Sequence, residues 1–269
     1  MRQIDAVLLD IDGTLVPAGR YGVSAPVVKR IDEIRRQGVK VIVATGRSGF
    51  VMGPRLLGAF EADYYICSNG GEVLNAEKQR IYERRFTAEQ VERLTAHCDA
   101  GGLSLFFAFA DGYGVYTGYE AYRQREEQAL GQGRQPDQSY QGWIEDCPTR
   151  DRHQAGLPFG GVLYGEPTPA FYEGLEDLQF VPFCPGGRDI YRREVDKAQT
   201  AGWLLEQLGI AFSHTAAIGD GNNDLPLLAA AGIGVAMGNA RPALKEAADF
   251  VVGPSEKDGL LEAFDWLKI

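Results

Sequence analysis

The chain has 269 residues, a formal net charge of −10 and hydrophobic residues at 45% of the sequence. That apolar content supplies a sizeable core and excludes global disorder, and the length fits one large or two modest domains. An acidic balance without a basic block argues against nucleic acid or an anionic membrane as partner, while leaving room for a small anion in a locally positive pocket.

In the first third, apolar runs alternate with amphipathic stretches. Ile4 to Leu9 is a short apolar run ended by the acidic Asp10-Ile11-Asp12-Gly13-Thr14. Pro26 to Gln37 places Val27, Val28, Ile31 and Ile34 at helical spacing, and Gly38 stops it. Val39 to Ala44 and Tyr64 to Cys67 are further apolar runs. Continuous β-branched runs joined by helices predict a parallel sheet covered on both faces. The middle differs. Leu103 to Phe109 and Tyr113 to Thr117 read as strands around an Asp111-Gly112 turn, with further strands at Phe159 to Tyr164, Phe180 to Cys184 and Asp189 to Arg192. Thr87 to Cys98 and Pro169 to Leu178 read as helices, and Arg123 to Gly142 as a helix end followed by a mobile loop. The expectation is an α/β core, residues 1–81 and 188–269, interrupted by an inserted α+β cap, 82–187. The last third returns to the core style. Thr200 to Leu208 is a helix closed by Gly209, Thr215 to Ile218 a buried strand and Leu225 to Ala231 a helix. Ile233 to Ala236 and Phe250 to Val252 are strands flanking a short helix from Ala243, and a final helix starts near Gly259.

Cys67, Cys98, Cys147 and Cys184 form no CxxC pair and read as reduced thiols, which points to the cytoplasm. His97, His153 and His214 have no zinc spacing. The first residues reach an acid within five positions and do not read as a signal peptide. The most apolar stretch, Leu225 to Gly238, is too short and too rich in glycine to span a bilayer.

Four segments could carry chemistry. Asp10 and Asp12 stand two apart at a strand end and project to the same side. At roughly 4 Å and an effective dielectric of about 20 they repel by about 4 kcal/mol, which a proton, a cation or a lysine must offset. Taken alone, Asp12-Gly13 could equally be a solvated turn. Thr45-Gly46 follows a buried run, where a hydroxyl and an amide can hold a phosphate oxygen or where the threonine simply caps a helix. Lys197 opens a helix behind the N-cap candidate Asp196. A surface lysine is one reading, but a cation at the positive end of a helix dipole hints at a carboxylate or ligand holding it. Finally, an apolar strand runs into Gly219-Asp220-Gly221-Asn222-Asn223-Asp224, an acid-and-amide cluster of the kind a hard cation such as Mg²⁺ offsets.

Asp10-Ile11-Asp12-Gly13-Thr14, Thr45-Gly46-Arg47, Lys197 and Gly219-to-Asp224 resemble, in order, the four motifs of the haloacid dehalogenase superfamily. The insert between the second and third motifs, with Ser68-Asn69-Gly70-Gly71 and Val235-Ala236-Met237-Gly238-Asn239-Ala240, resembles its Cof-type phosphatases. Lys197 is followed by Ala198 where the family often has glycine. The resemblance implies a Rossmann-like core with the motifs at strand C-terminal ends and a phosphoric monoester hydrolase acting through an aspartyl-phosphate. It implies Asp10 as nucleophile and Asp12 as general acid and base. Mg²⁺ would be held by Asp10, Asp220 and the Asp12 carbonyl, and phosphate by Thr45, Gly46, Lys197 and Asn223. Asp224 would orient Lys197 or a metal-bound water, and Arg47 would touch substrate or pair at the surface. The expected partner is a small phosphorylated metabolite such as a sugar phosphate, not nucleic acid or membrane. A phosphomutase of the same superfamily and a non-catalytic phosphometabolite-binding protein remain alternatives at this stage.

Overall fold

The β-branched runs at both ends of the sequence become neighbouring strands of one sheet. The computed structural model describes residues 3–133 and 137–269. In chain order its elements are β1 (Ala6–Leu9), α1 (Ala25–Arg36), β2 (Lys40–Ala44), α2 (Pro54–Leu57), β3 (Tyr64–Cys67), β4 (Glu72–Asn75), β5 (Arg80–Glu83), α3 (Ala88–Gly101), β6 (Ser104–Phe109), β7 (Gly112–Thr117), α4 (Tyr119–Gly131), β8 (Ile144–Asp146), α5 (Arg152–Ala155), β9 (Gly160–Tyr164), β10 (Leu178–Cys184), β11 (Gly187–Arg192), α6 (Lys197–Leu208), β12 (Thr215–Gly219), α7 (Leu225–Ala230), β13 (Ile233–Ala236), α8 (Pro242–Ala247), β14 (Phe250–Val251) and α9 (Gly259–Leu267). The chain divides into two compact units, Met1–Tyr82 with Asp196–Ile269, and Glu83–Val195.

In the first unit, strands run in the order β14-β13-β12-β1-β2-β3-β4-β5. All pairings from β14 to β3 are parallel, and β4 returns antiparallel to β3. β1 is buried along its whole length because it lies inside this sheet. Leu8, Ile42, Ile66 and Ala217 on one face pack with Leu204 and Leu205 of α6 and Leu227 and Leu228 of α7. Val7, Leu9, Val41 and Val43 point the other way and are equally buried, and α1 turns Val27, Ile31 and Ile34 inward. A strand buried on both faces has no polar alternation, which is why these runs are continuously apolar. Leu9 lies opposite both Val43 and Ile218, so the loops following β1, β2 and β12 leave the sheet side by side.

The second unit holds a six-stranded sheet in the order β10-β11-β9-β6-β7-β8. Its pairings are antiparallel apart from β7 with β8. Leu105, Phe107, Phe109, Leu163 and Ile190 form a core with Val91, Leu94 and Cys98 of α3. Thr87 starts that helix with a capping box: its hydroxyl accepts from the Gln90 amide and the Gln90 side chain accepts from the Thr87 amide.

Two expectations are corrected. β11 pairs with β10 and also with β9, so the insert's sheet continues past Gly187 and the chain returns to the first unit at Asp196 rather than at residue 188. Pro169 to Leu178 is only a 3-10 turn over Pro169–Tyr172, because Gly174 takes φ 77° and Leu178 already begins β10. The expected helix end is present, since Arg123 to Gly131 closes α4, and within the stretch expected as loop Gln138–Tyr140 form a 3-10 turn. Residues 134–136 of the expected loop, Arg134 among them, lie outside the described residues. β4 and β5 carry no strand signal in the sequence, since Glu72 and Arg80 open them with charge.

Both crossing points are anchored inside the first unit. The Tyr82 ring packs on Trp203 with centroids 4.3 Å apart. Asp196 caps α6 through the Gln199 amide. Replacing residues 83–195 with a short Gly-Ser linker is therefore expected to leave a soluble first unit that unfolds cooperatively on heating. A linker variant without cooperative unfolding would show that the two units share one core.

Candidate active site

The strand ends bring three loops together, and a helix start supplies the fourth group. Asp10 follows β1 and its amide donates to the Ile218 carbonyl (3.0 Å), which ties it to the end of β12. Asp196 caps α6, so Lys197 occupies the first helical position, as the sequence suggests. It is a surface lysine in neither sense: it is 1% exposed, and Nζ donates to Asp10 Oδ1 (2.7 Å) and Asp224 Oδ1 (2.6 Å). Those carboxylates answer the unfavourable helix dipole. Asp224 is itself pinned, because Oδ2 accepts from the amides of Asp220 (3.1 Å) and Gly221 (2.9 Å). A Cβ on Gly219 would lie 2.5 Å from the Asp224 carboxyl carbon, so only glycine fits beneath it.

The remaining motif residues close the ring. Thr45, buried after β2, accepts at Oγ1 from the Arg47 amide (3.1 Å), and Gly46 lies between them, half-buried. Arg47 donates from Nε and Nη2 to the two oxygens of Asp12, each at 2.7 Å. Arg47 thus makes a carboxylate pair with another motif residue. Asn223 Nδ2 donates to Asn69 Oδ1 (2.9 Å), and the Asn69 amide donates to the Thr45 carbonyl (3.0 Å). Asp10, Asp12, Thr45, Gly46, Arg47, Asp220, Asn223 and Asp224 thus lie in the segments that follow β1, β2 and β12, and Lys197 reaches Asp10 and Asp224 from the start of α6.

Three residues with no role assigned from sequence also take part. Asn69 is buried with φ 53°, a left-handed conformation that asparagine tolerates, and it links the Thr45 loop to Asn223. Glu72, buried at the start of β4, accepts from the Gly49 amide (2.8 Å) and Arg80 Nε (2.9 Å), bracing the segment after Arg47. Asn239 donates to Asp220 Oδ2 (3.0 Å). Asn69 and Asn239 stand inside motif-like strings, which is the only signal the sequence offered for them.

Electrostatics concentrate on the acids. Burial pushes the Asp10 carboxyl well above the usual range; Lys197 pulls it back, while Asp224, Asp220 and Asp12 add to the rise. Burial, then Asp224, push Asp220 up to about 7. For Lys197, burial opposes the charge, yet Asp10 and Asp224 outweigh it and hold the ammonium above its ordinary value. One carboxylate oxygen from each of Asp10, Asp220 and Asp224 lies within 4.8 Å of the others. Asp224 spends both oxygens on Lys197 and the two amides, so Asp10 and Asp220 are the acids with coordination to offer. Two converging, desolvated carboxylates that resist ionisation alone fit a hard divalent cation, which prefers charged oxygen.

A profile of haloacid dehalogenase-like hydrolases matches residues 7–154 and 167–264. The chain belongs to that family, and the Cof-type resemblance holds. Its enzyme class is that of the family's phosphatases, the phosphoric monoester hydrolases. It is 27% identical to phosphatase YwpJ of Bacillus subtilis over 94% of this chain and 96% of that one. Two solved structures share the fold: phosphatase BT1666 of Bacteroides thetaiotaomicron, at TM-score 0.84 and 23% identity over 98% of this chain and 94% of that one, and the subclass IIB sugar phosphatase BT4131, at TM-score 0.80 and 23% identity over 98% and 99%. Among the described residues, no helix is long and apolar enough to cross a membrane.

The Lys197 geometry predicts a large stability effect. Lys197→Ala leaves Asp10 and Asp224 facing each other without a cation, and removing one partner from a buried ion pair costs about 3–5 kcal/mol. Urea unfolding in EDTA is expected to show a loss of that order, with Mg²⁺ recovering part of it. Unchanged stability would mean that the two acids do not need the lysine.

Proposed function

We propose that this chain is a Mg²⁺-dependent phosphatase that hydrolyses a small phosphorylated metabolite, a sugar phosphate or similar monoester, through an aspartyl-phosphate on Asp10. The observation that carries this reading is the buried Asp10–Lys197–Asp224 triad at the end of β1. It holds a carboxylate in one orientation beside a fixed cation, which is what attack on a phosphate dianion requires. The family match and the named activities of the relatives support the same reading.

Asp10 and Asp220, with the Asp12 carbonyl, would hold Mg²⁺. When bound, the cation supplies charge screening between the phosphate and the attacking carboxylate. Lys197 holds Asp10 Oδ1, so Oδ2 is the oxygen it leaves for attack. Asp10 bonds to phosphorus while the ester P–O bond breaks, and Asp12 gives its proton to the departing alkoxide. Asp12 then takes a proton from water as that water attacks phosphorus and the Asp10–P bond breaks. Thr45, the Gly46 amide, Lys197 and Asn223 would take the phosphoryl oxygens. Asp12 is bound through both oxygens to Arg47, so one of those hydrogen bonds must open for each proton transfer. Asp224 orients Lys197. The unit Glu83–Val195 would select the leaving group. The free cysteines Cys67, Cys98, Cys147 and Cys184 support a cytoplasmic setting.

Phosphate release across a panel of phosphorylated metabolites, with Mg²⁺ and with EDTA, tests the reading. Turnover is expected with Mg²⁺ only, and Asp10→Asn should lower it at least about 10³-fold without loss of fold. Equal turnover in chelator, or an active Asp10→Asn after deamidation is excluded, would overturn it.

A pH effect follows from Asp220, whose carboxyl rises from 3.8 to about 7. Between those values the metal-free folded protein keeps a proton that the unfolded chain has lost. The contribution of this group to stability therefore falls as pH rises through that window and levels off above it. Asp220→Asn removes it, so in EDTA the variant should gain on wild type as pH rises between about pH 4 and pH 7. Mg²⁺ affinity of the wild type should rise over the same range as the proton is displaced. A stability difference that does not change with pH would show that Asp220 ionises normally.

A further inference from the structure

We propose that Asn239 is a positioning residue for the cation site: its side-chain amide fixes the Asp220 carboxylate against Gly13 and thereby sets how tightly the protein holds Mg²⁺. This rests on the metal reading above.

Asn239 follows β13 and makes three hydrogen bonds. Nδ2 donates to the Gly13 carbonyl (2.8 Å) and to Asp220 Oδ2 (3.0 Å), and Oδ1 accepts from the Ser255 amide (2.9 Å). The amide cannot be turned over, because the Gly13 carbonyl only accepts and the Ser255 N–H only donates. One side chain therefore ties the loop after β1, the loop after β12 and the segment before α9. The Asn239 segment is also registered on the backbone, since the Met237 amide donates to the Gly219 carbonyl (3.0 Å) and the Arg241 amide to the Asp220 carbonyl (3.0 Å).

Gly13 gives an independent reason to read this contact as a clamp. It has φ +79°, and a Cβ there would lie 2.2 Å from Asp220 Oδ2 and 3.0 Å from Asn239 Nδ2. The glycine lets the backbone close onto the hydrogen-bonded pair, so Asp220 is confined by Gly13 on one side and held by Asn239 at Oδ2. That leaves Oδ1 as the oxygen for a cation. A ligand carboxylate free to rotate must be ordered when metal binds, and partners that orient metal ligands are worth about 10–100-fold in affinity.

The test uses the full-length protein and titrates MgCl₂ into metal-free samples by calorimetry, with the Mg²⁺ dependence of phosphate release alongside. Asn239→Asp keeps the acceptor for Ser255 but replaces the donor with an oxygen facing two acceptors, whereas Asn239→Ala removes both. Each variant is expected to melt within a few degrees of wild type in EDTA and to bind Mg²⁺ about 10–100-fold more weakly, with the Mg²⁺ concentration for half-maximal phosphate release rising by the same factor. Mg²⁺ binding as tight as wild type or tighter in Asn239→Asp would overturn the proposal and assign the side chain to holding Ser255. Loss of the folded state in both variants would make Asn239 a scaffold residue and equally overturn it. A wild type that binds Mg²⁺ but releases phosphate from no ester would defeat the phosphatase reading alone, and one that binds no Mg²⁺ would defeat both.

Discussion

Lys197 is the interaction on which the site depends. A lysine buried to 1% exposure at the first turn of a helix meets two penalties, loss of water and the positive end of the helix dipole. It is tolerable only because Asp10 and Asp224 arrive from the segments after two different strands, β1 and β12, at hydrogen-bonding distance. The neighbouring geometry serves that meeting. Asp224 is aimed by the Asp220 and Gly221 amides, Gly219 leaves the space Asp224 fills, and the Asp10 amide is tied to the end of β12. The three ionic groups carry a net negative charge, and Asp220 beside them increases it. A site left in that condition favours whatever cation restores balance, and the raised Asp10 and Asp220 carboxyls are the measure of that demand.

The parallel sheet supplies the coordinates. Adjacent strands β12, β1, β2 and β3 end on the same side, so residues far apart in sequence stand next to one another without any contact designed between them. What needs design is the setting of the loops. Here polar side chains do that work: the buried Asn69 across to Asn223, the buried Glu72 to the Gly49 amide, and the exposed Asn239 to Gly13 and Asp220. Each is satisfied by partners from a separate loop, which makes the loops mutually dependent rather than independently mobile.

The parallel core was legible because its strands are buried on both faces, so β1, β2, β3 and β12 read as continuous apolar runs. The motif residues were legible because acids, glycine and threonine cluster directly after those runs, and Asp196 announced the helix that presents Lys197. The insert was harder. α4 buries no residue, so it shows no apolar stripe to mark its start at Tyr119. β11 lies beyond the expected boundary at Gly187, although it is paired on both sides within the insert's sheet. The bracing roles of Asn69, Glu72 and Asn239 lay outside the sequence's reach for a simpler reason. Each is defined by a partner in another loop, and no local pattern encodes which loops will meet.

Asp10 and Asp12, two residues apart, end in opposite surroundings, and the difference suits their proposed tasks. Asp10 is buried and locked to a buried lysine. Breaking that pair would strand charge away from water, so its orientation is stiff. Asp12 carries a side chain 55% exposed and is paired with Arg47, whose own side chain is 14% exposed. An ion pair with one partner this open to water contributes little and is exchanged readily for solvent. A nucleophile benefits from being held still, because misalignment at the reacting atom is costly. A proton carrier must instead be held loosely enough to turn from leaving group to water between two half-reactions. The same short segment provides both, because the chain turns outward after β1: Asp10 is still inside the protein and Asp12 is already at its edge.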